Sequence, residues 1–143
     1  MPLLEQVLEN NPGNVKIVFK NFPLRRHKFA TKAAMAALAA DGQGKFWAFH
    51  DRLFENYKQL NDQKIKDIAR DLGLDMEKFE KQMKDPGILA QIRQDLLDGN
   101  QAGVRGTPTV FIGGRLLRNW SPKEFQMLID KELGRTKQSP KKK

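Results

Sequence analysis

The residues best placed to do chemistry in this chain form one run, Gly106-Thr107-Pro108-Thr109-Val110-Phe111-Ile112-Gly113-Gly114. Thr109 to Ile112 is short, apolar and rich in β-branched and aromatic side chains, as expected of a buried strand. Gly113 and Gly114 tolerate the positive φ angles of a two-residue hairpin turn, so Arg115-Leu116-Leu117 is predicted to return as the partner strand. Pro108 stands at the entrance to the first strand, where a missing N–H is tolerated. Only about 5–6% of X-Pro bonds in folded proteins are cis, so these residues alone assign Thr107–Pro108 as trans. The chemistry open to such a run is recognition through backbone groups. Sulfur chemistry is closed to it. The chain has no cysteine, and disulfide exchange needs a thiolate to attack sulfur.

Other reactive side chains are dispersed. His27 and His50 are the only histidines, and they fall on either side of a predicted helix without the spacing of paired metal ligands. His50, between Phe49 and Asp51, reads as a partly buried helix residue with a hydrogen-bond partner. Gly106-Thr107-Pro108-Thr109 is not a nucleophile elbow. Gly42-Gln43-Gly44 and Gly113-Gly114 lack the glycine spacing and lysine of a phosphate loop. The acidic residues are spread over helix surfaces and caps, where they match helix dipoles or face solvent. Trp47 and Trp120 read as core or half-buried packing residues. No catalytic residue, metal site or cofactor is predicted.

The elements around the run follow from periodicity. The chain has 143 residues with 39% hydrophobic and 30% charged side chains, which suits one globular domain. Leu3, Leu4, Val7 and Leu8 recur at helical spacing, and Asn10-Asn11-Pro12-Gly13 ends that helix. Val15 to Phe19 reads as a buried strand. Ala30 to Ala40, rich in the best helix former, closes at Asp41-Gly42. Phe46, Phe49, Leu53, Phe54 and Tyr57 form an apolar stripe on the next helix. Ile65 to Leu72 marks another, stopped at Gly73, and Asp75 caps a short one carrying Met76, Phe79 and Met83. Asp85-Pro86 reads as an N-cap followed by proline at the first helical position, opening a helix towards Gly103. Ser121-Pro122-Lys123-Glu124 has capping-box spacing and starts the last helix, which ends near Gly134.

Charge and hydropathy exclude some partners. The net charge is +9, and five basic residues stand in the last ten positions without an acid; removing them leaves +4. The basic tail lacks the interleaved aromatics of a nucleic-acid surface and is predicted to be solvated, without specific nucleic-acid binding. No stretch reaches the roughly 18–20 apolar residues of a membrane helix.

The order of helix, strand, several helices, hairpin and helix resembles the thioredoxin-fold proteins of the DsbA family. Carrying the resemblance are Leu3-Leu4-Glu5-Gln6-Val7-Leu8 running into Val15 to Leu24, His27 before the alanine-rich helix, and Gly44-Lys45-Phe46-Trp47 with His50-Asp51. Leu72-Gly73-Leu74-Asp75 and Gly103-Val104-Arg105-Gly106-Thr107-Pro108-Thr109 add to it. The resemblance implies an α/β fold, with a small thioredoxin-like sheet and a large helical insertion at about 27–101. It also implies a cis Thr107–Pro108 bond, and a substrate-binding segment of Arg105, Gly106, Thr107 and Pro108 that pairs with an extended or unfolded polypeptide. One domain, 1–134, is expected, followed by a disordered basic tail, 135–143.

In that family a central strand ending in Cys-x-x-Cys opens the first helix, and this sequence begins just past the corresponding point. The chain is therefore expected to be a truncated, redox-inactive member, whose Val15–Phe19 strand closes directly onto the hairpin or whose gap is filled by a second copy. Losing such a strand forfeits two or three buried aliphatic side chains, each worth about 1.5–3 kcal/mol. Two alternatives stand beside this reading: a non-catalytic peptide-binding or assembly module, and a fragment resembling glutathione-binding isomerases or kappa-type transferases. The expected location is periplasmic or extracytoplasmic for a piece of a longer precursor, and cytoplasmic if Met1 is the true start.

Overall fold

The computed structural model describes residues 2–134, so the basic tail lies outside the described residues. The elements are α1 (Pro2–Asn10), α2 (Ala30–Asp41), α3 (Phe46–Glu55), a 3₁₀ turn at Tyr57–Gln59, α4 (Asp62–Asp71), α5 (Met76–Met83) and α6 (Pro86–Gln101). They continue with β1 (Phe111–Ile112), β2 (Arg115–Leu116) and α7 (Pro122–Glu132). They fall into two compact units, one of residues 2–18 with 106–134 and one of residues 19–105.

Helix ends are set by local hydrogen bonds. The side chains of Asn61, Asp75, Asp85 and Ser121 each accept from a backbone N–H in the first turn of α4, α5, α6 and α7, satisfying a donor the helix itself leaves orphaned. α2 ends at Asp41 with Gly42 as its C-cap, as expected. Gly42 keeps helical backbone angles, and the left-handed residue is Gly44 at φ +73°. Gly44 N–H donates to Asp41 and Lys45 N–H to Ala40, both at 2.9 Å, the paired closure that favours glycine.

The larger unit is built on α2, which packs against α3, α4, α5 and α6. Ala36, Ala39 and Ala40 are fully buried there, and their small side chains let helix backbones approach closely. Phe49 and Phe79 stack at 5.7 Å beside Ile65, Ile68 and Ile92 to fill the rest of the core. A buried carboxylate ties the segment around Asn21 to α6. Asn21 donates its backbone N–H and side-chain amide to Asp95 Oδ2 at 2.9 and 2.8 Å, and Gln91 Nε2 donates to Oδ1 at 2.8 Å.

The smaller unit gathers Val7, Leu117, Phe125, Leu128 and Ile129 into a core, with Val15, Val110 and Ile112 packed against it. Asn11 is buried and exchanges amide hydrogen bonds with Gln126, at 3.0 and 2.9 Å, joining the end of α1 to α7. Ile112 pairs with Arg115 and Phe111 with Leu116 in an antiparallel hairpin. Gly113 and Gly114 turn it with φ of +55° and +84°, the signs a type I′ turn requires.

One expected strand does not form. Val15 to Phe19 has no strand partner among the described residues, and the sheet consists of β1 and β2 only. The expected closure of this segment onto the hairpin is therefore absent. Its side chains still alternate between half-buried (Val15, Ile17) and exposed (Lys16, Val18), but alternation without a neighbouring strand leaves no ladder to make. Val18 ends 65% exposed.

Replacing Asp95 by leucine should strand two Asn21 donors and lower stability by at least about 2 kcal/mol, given about 1–3 kcal/mol for each buried unsatisfied group. Urea denaturation checks this; an unchanged midpoint would show that Asp95 holds nothing in place.

Candidate functional site

The loop ahead of β1 is closed by its own residues. Thr109 Oγ1 donates to the Gly106 carbonyl at 2.6 Å, a local side-chain bond of the kind that shapes turns. The Thr107–Pro108 peptide bond is cis. Thr107 and Pro108 are exposed, and Gly106 and Thr109 are half-buried. The structure thus brings Gly106, Thr107 and Pro108 together on one exposed turn leading into the hairpin.

The direction of the backbone groups follows from the register. In an antiparallel ladder, residues alternate between pairs that exchange both hydrogen bonds and pairs that exchange none. Leu117 N–H donates to the Val110 carbonyl at 2.9 Å, and Ile112 faces Arg115 across the two-residue turn. Phe111, between Val110 and Ile112, therefore turns its N–H and C=O away from β2. No further strand pairs with that side among the described residues. The result is an open edge, one residue beyond Pro108–Thr109, with its main-chain groups unspent.

Arg105, the remaining expected site residue, belongs to the larger unit. It is exposed and lines an open depression of about 520 Å³ with Phe22, Asn100, Gly103 and Val104. A methyl group on Gly99 would stand 2.7 Å from the Phe22 ring, so only glycine lets that ring lie against α6. The described residues hold no group of three or more His, Asp or Glu side chains able to bind a metal.

The sequence reading missed a cluster on α3. His50 is 4% exposed and surrounded by the rings of Phe19, Phe46, Trp47 and Phe54, with centroids 5.0, 5.9, 5.3 and 4.7 Å away. Its Nδ1 lies 3.4 Å from Asp51 Oδ1, and its Nε2 is buried with no hydrogen-bond partner. Burial pushes the imidazole below its ordinary value of 6.5, against the opposing pull of Asp51. Trp47 and Trp120, expected in or near the core, are 44% and 39% exposed. A signal was present: Phe46, His50 and Phe54 recur every four residues beside a second apolar set, Phe49 and Leu53, so α3 has more aromatic side chains than one buried face can take.

Comparison with known proteins supplies the wider context. A family model described as thioredoxin matches residues 2–131. A thioredoxin-like oxidoreductase from Silicibacter pomeroyi superposes with a TM-score of 0.80 at 29% identity, covering 93% of this chain and 76% of the other. The thiol-disulfide exchange protein alpha-DsbA2 from Wolbachia pipientis superposes with a TM-score of 0.81 at 26% identity, covering 92% and 72%. A protein named Na(+)/H(+) antiporter NhaA 1, from Salinispora arenicola, is 35% identical over 103 residues, which are 71% of this chain but 16% of that protein. The chain spans about a sixth of the length of that curated relative. No helix among the described residues is long and apolar enough to cross a membrane.

The His50 environment makes stability depend on pH. The unfolded chain binds the imidazole proton from about pH 6.5 downwards, while the folded chain resists until its depressed value is reached. Stability should therefore be intact above 6.5 and fall as the pH drops through that interval. Thermal melts at pH 7.5 and 5.5 check this: His50→Phe should show a smaller acid-side loss than the parent, and an equal loss would place the sensitivity elsewhere.

Proposed function

The chain belongs to the thioredoxin family, and from that premise we propose that it is a DsbA-like domain that binds extended polypeptide along its hairpin edge and performs no thiol chemistry by itself. The observation that carries this reading is the open side of β1, directly after the Gly106-Thr107-Pro108 turn. An unfolded segment adding to that edge would exchange hydrogen bonds with Phe111 N–H and C=O, and its side chains would alternate between facing the protein and facing solvent. Binding through main-chain groups is indifferent to most sequence, as a protein acting on unfolded chains requires. Arg105 is proposed to contribute a cation to the substrate.

Disulfide exchange needs a thiolate to attack and a second sulfur to leave. With no cysteine in 143 residues, this chain has neither. Any thiol acting at the Pro108 turn must come from residues outside these 143 or from another polypeptide. The oxidoreductase and exchange descriptions of the two solved neighbours favour this reading over the glutathione-dependent one. An extracytoplasmic setting suits it for a piece of a longer precursor, because disulfides form and persist there. A second copy of the chain is the other occupant proposed for the open edge, since unpaired strand edges recruit identical strands.

Two measurements test the proposal. Insulin reduction by dithiothreitol should proceed no faster with the protein than without it; catalysed turnover would sink the redox-inactive half. Carboxymethylated α-lactalbumin, held unfolded, should bind, and Phe111→Pro should weaken that binding about tenfold while the hairpin stays intact, because the lost N–H points away from β2. Equal affinity for the parent and the variant would remove the edge from the reading. Light scattering across a dilution series separates peptide binding from self-pairing.

A further inference from the structure

We propose that the aromatic cluster on α3 is a second binding site, which takes a hydrogen-bond-donating aromatic side chain of a polypeptide, with tyrosine the best match. The site lies wholly in the larger unit and does not depend on the hairpin edge.

The argument begins with the orphan nitrogen. A proton on His50 Nδ1 faces the Asp51 carboxylate at 3.4 Å, which leaves Nε2 with its lone pair as an acceptor. That acceptor is buried and unpaired. Buried polar atoms are paired in the large majority of cases, and leaving one unpaired costs about 1–3 kcal/mol. A buried water normally makes two to four hydrogen bonds; among the rings around His50 only Trp47 carries a polar group, its indole N–H donor, and Phe19, Phe46 and Phe54 offer none. The acceptor calls for a donor carried on an apolar body.

The surrounding rings say what that body is. Phe19, Phe46 and Trp47 pack edge to face or tilted, with centroids 5.1 to 5.9 Å apart, the arrangement aromatic groups adopt among themselves. Three of the rings stand partly in solvent: Phe54 is 57% exposed, Trp47 44% and Phe19 39%. Exposed large apolar side chains gathered around one polar atom are the composition of a recognition pocket. A phenol ring taking the place of the Phe54 ring, which lies tilted at 4.7 Å from His50, would replace that one ring contact and bring an O–H to Nε2. Exposed side chains change rotamer in picoseconds to nanoseconds, so the swing of Phe54 that admits such a group needs no rearrangement of the helices. Phe49 and Leu53, buried on the other side of α3, anchor the helix while its outer face exchanges partners.

The test compares two probes of nearly equal size. p-Cresol carries the O–H donor, and toluene lacks it; neither has a peptide backbone, so neither can pair with the hairpin edge, and the outcome is independent of that reading. Nitrogen-15 NMR of the full chain should show p-cresol shifting His50 Nε2 saturably and binding about three- to tenfold more tightly than toluene, the range of one net hydrogen bond. The His27 signals serve as the internal control and should stay in place. His50→Phe should remove the preference for p-cresol, and Phe54→Ala, at an exposed position, should keep it while easing entry. Equal binding of the two probes, unmoved His50 signals, or a preference that survives His50→Phe would each overturn the proposal.

Discussion

A two-residue turn governs what the hairpin can offer. Because Gly113 and Gly114 both take positive φ, Ile112 must face Arg115 as a hydrogen-bonded pair, and the alternation of the ladder then sends Phe111 N–H and C=O to the far side. A longer loop would shift this register by a residue and turn those groups inward. The open edge of β1 and its distance from Pro108 both descend from that one constraint. Thr109 completes it by bonding back to Gly106, which holds the approach to the strand in a single shape.

Each compact unit combines an apolar core with one buried polar tie between segments distant in sequence. In the smaller unit Asn11 and Gln126 satisfy each other across 115 residues. In the larger, Asp95 receives donors from Asn21 and Gln91. Apolar contact tolerates sliding of a side chain or two, whereas a saturated amide or carboxylate pair accepts one geometry. These ties therefore select a single arrangement within each unit, and the hairpin and the α3 cluster inherit their positions from it.

His50 stands apart from that pattern. Asn11 and Asp95 have their hydrogen-bonding groups engaged within the fold, while His50 has one nitrogen engaged and one not. Natural structures depart from full polar satisfaction mainly where something functional is at stake. The rings of Trp47 and Phe54 reinforce the contrast, since both are exposed while Phe49 and Leu53 of the same helix are buried.

Much of this protein was legible from residues alone, wherever the determining interaction spans one helical turn. The caps at Asn61, Asp75, Asp85 and Ser121, the proline starts at Pro86 and Pro122, and the glycine turn of the hairpin each depend on partners within about four residues, so sequence order already contains them. The absence of cysteine is equally a property of composition. The end of α2 at Asp41-Gly42 was legible too, although only the backbone path selects Gly44 rather than Gly42 for the left-handed turn. Other features needed tertiary structure. Val15 to Phe19 has a strand's composition, yet a strand exists only with a neighbour to bond, and its neighbour is a matter of the whole chain's path. The isolation of His50 Nε2 depends on Phe19, which is 31 residues away in sequence. Local propensity determined the parts; the long-range pairing of backbone and rings decided which surfaces were left open.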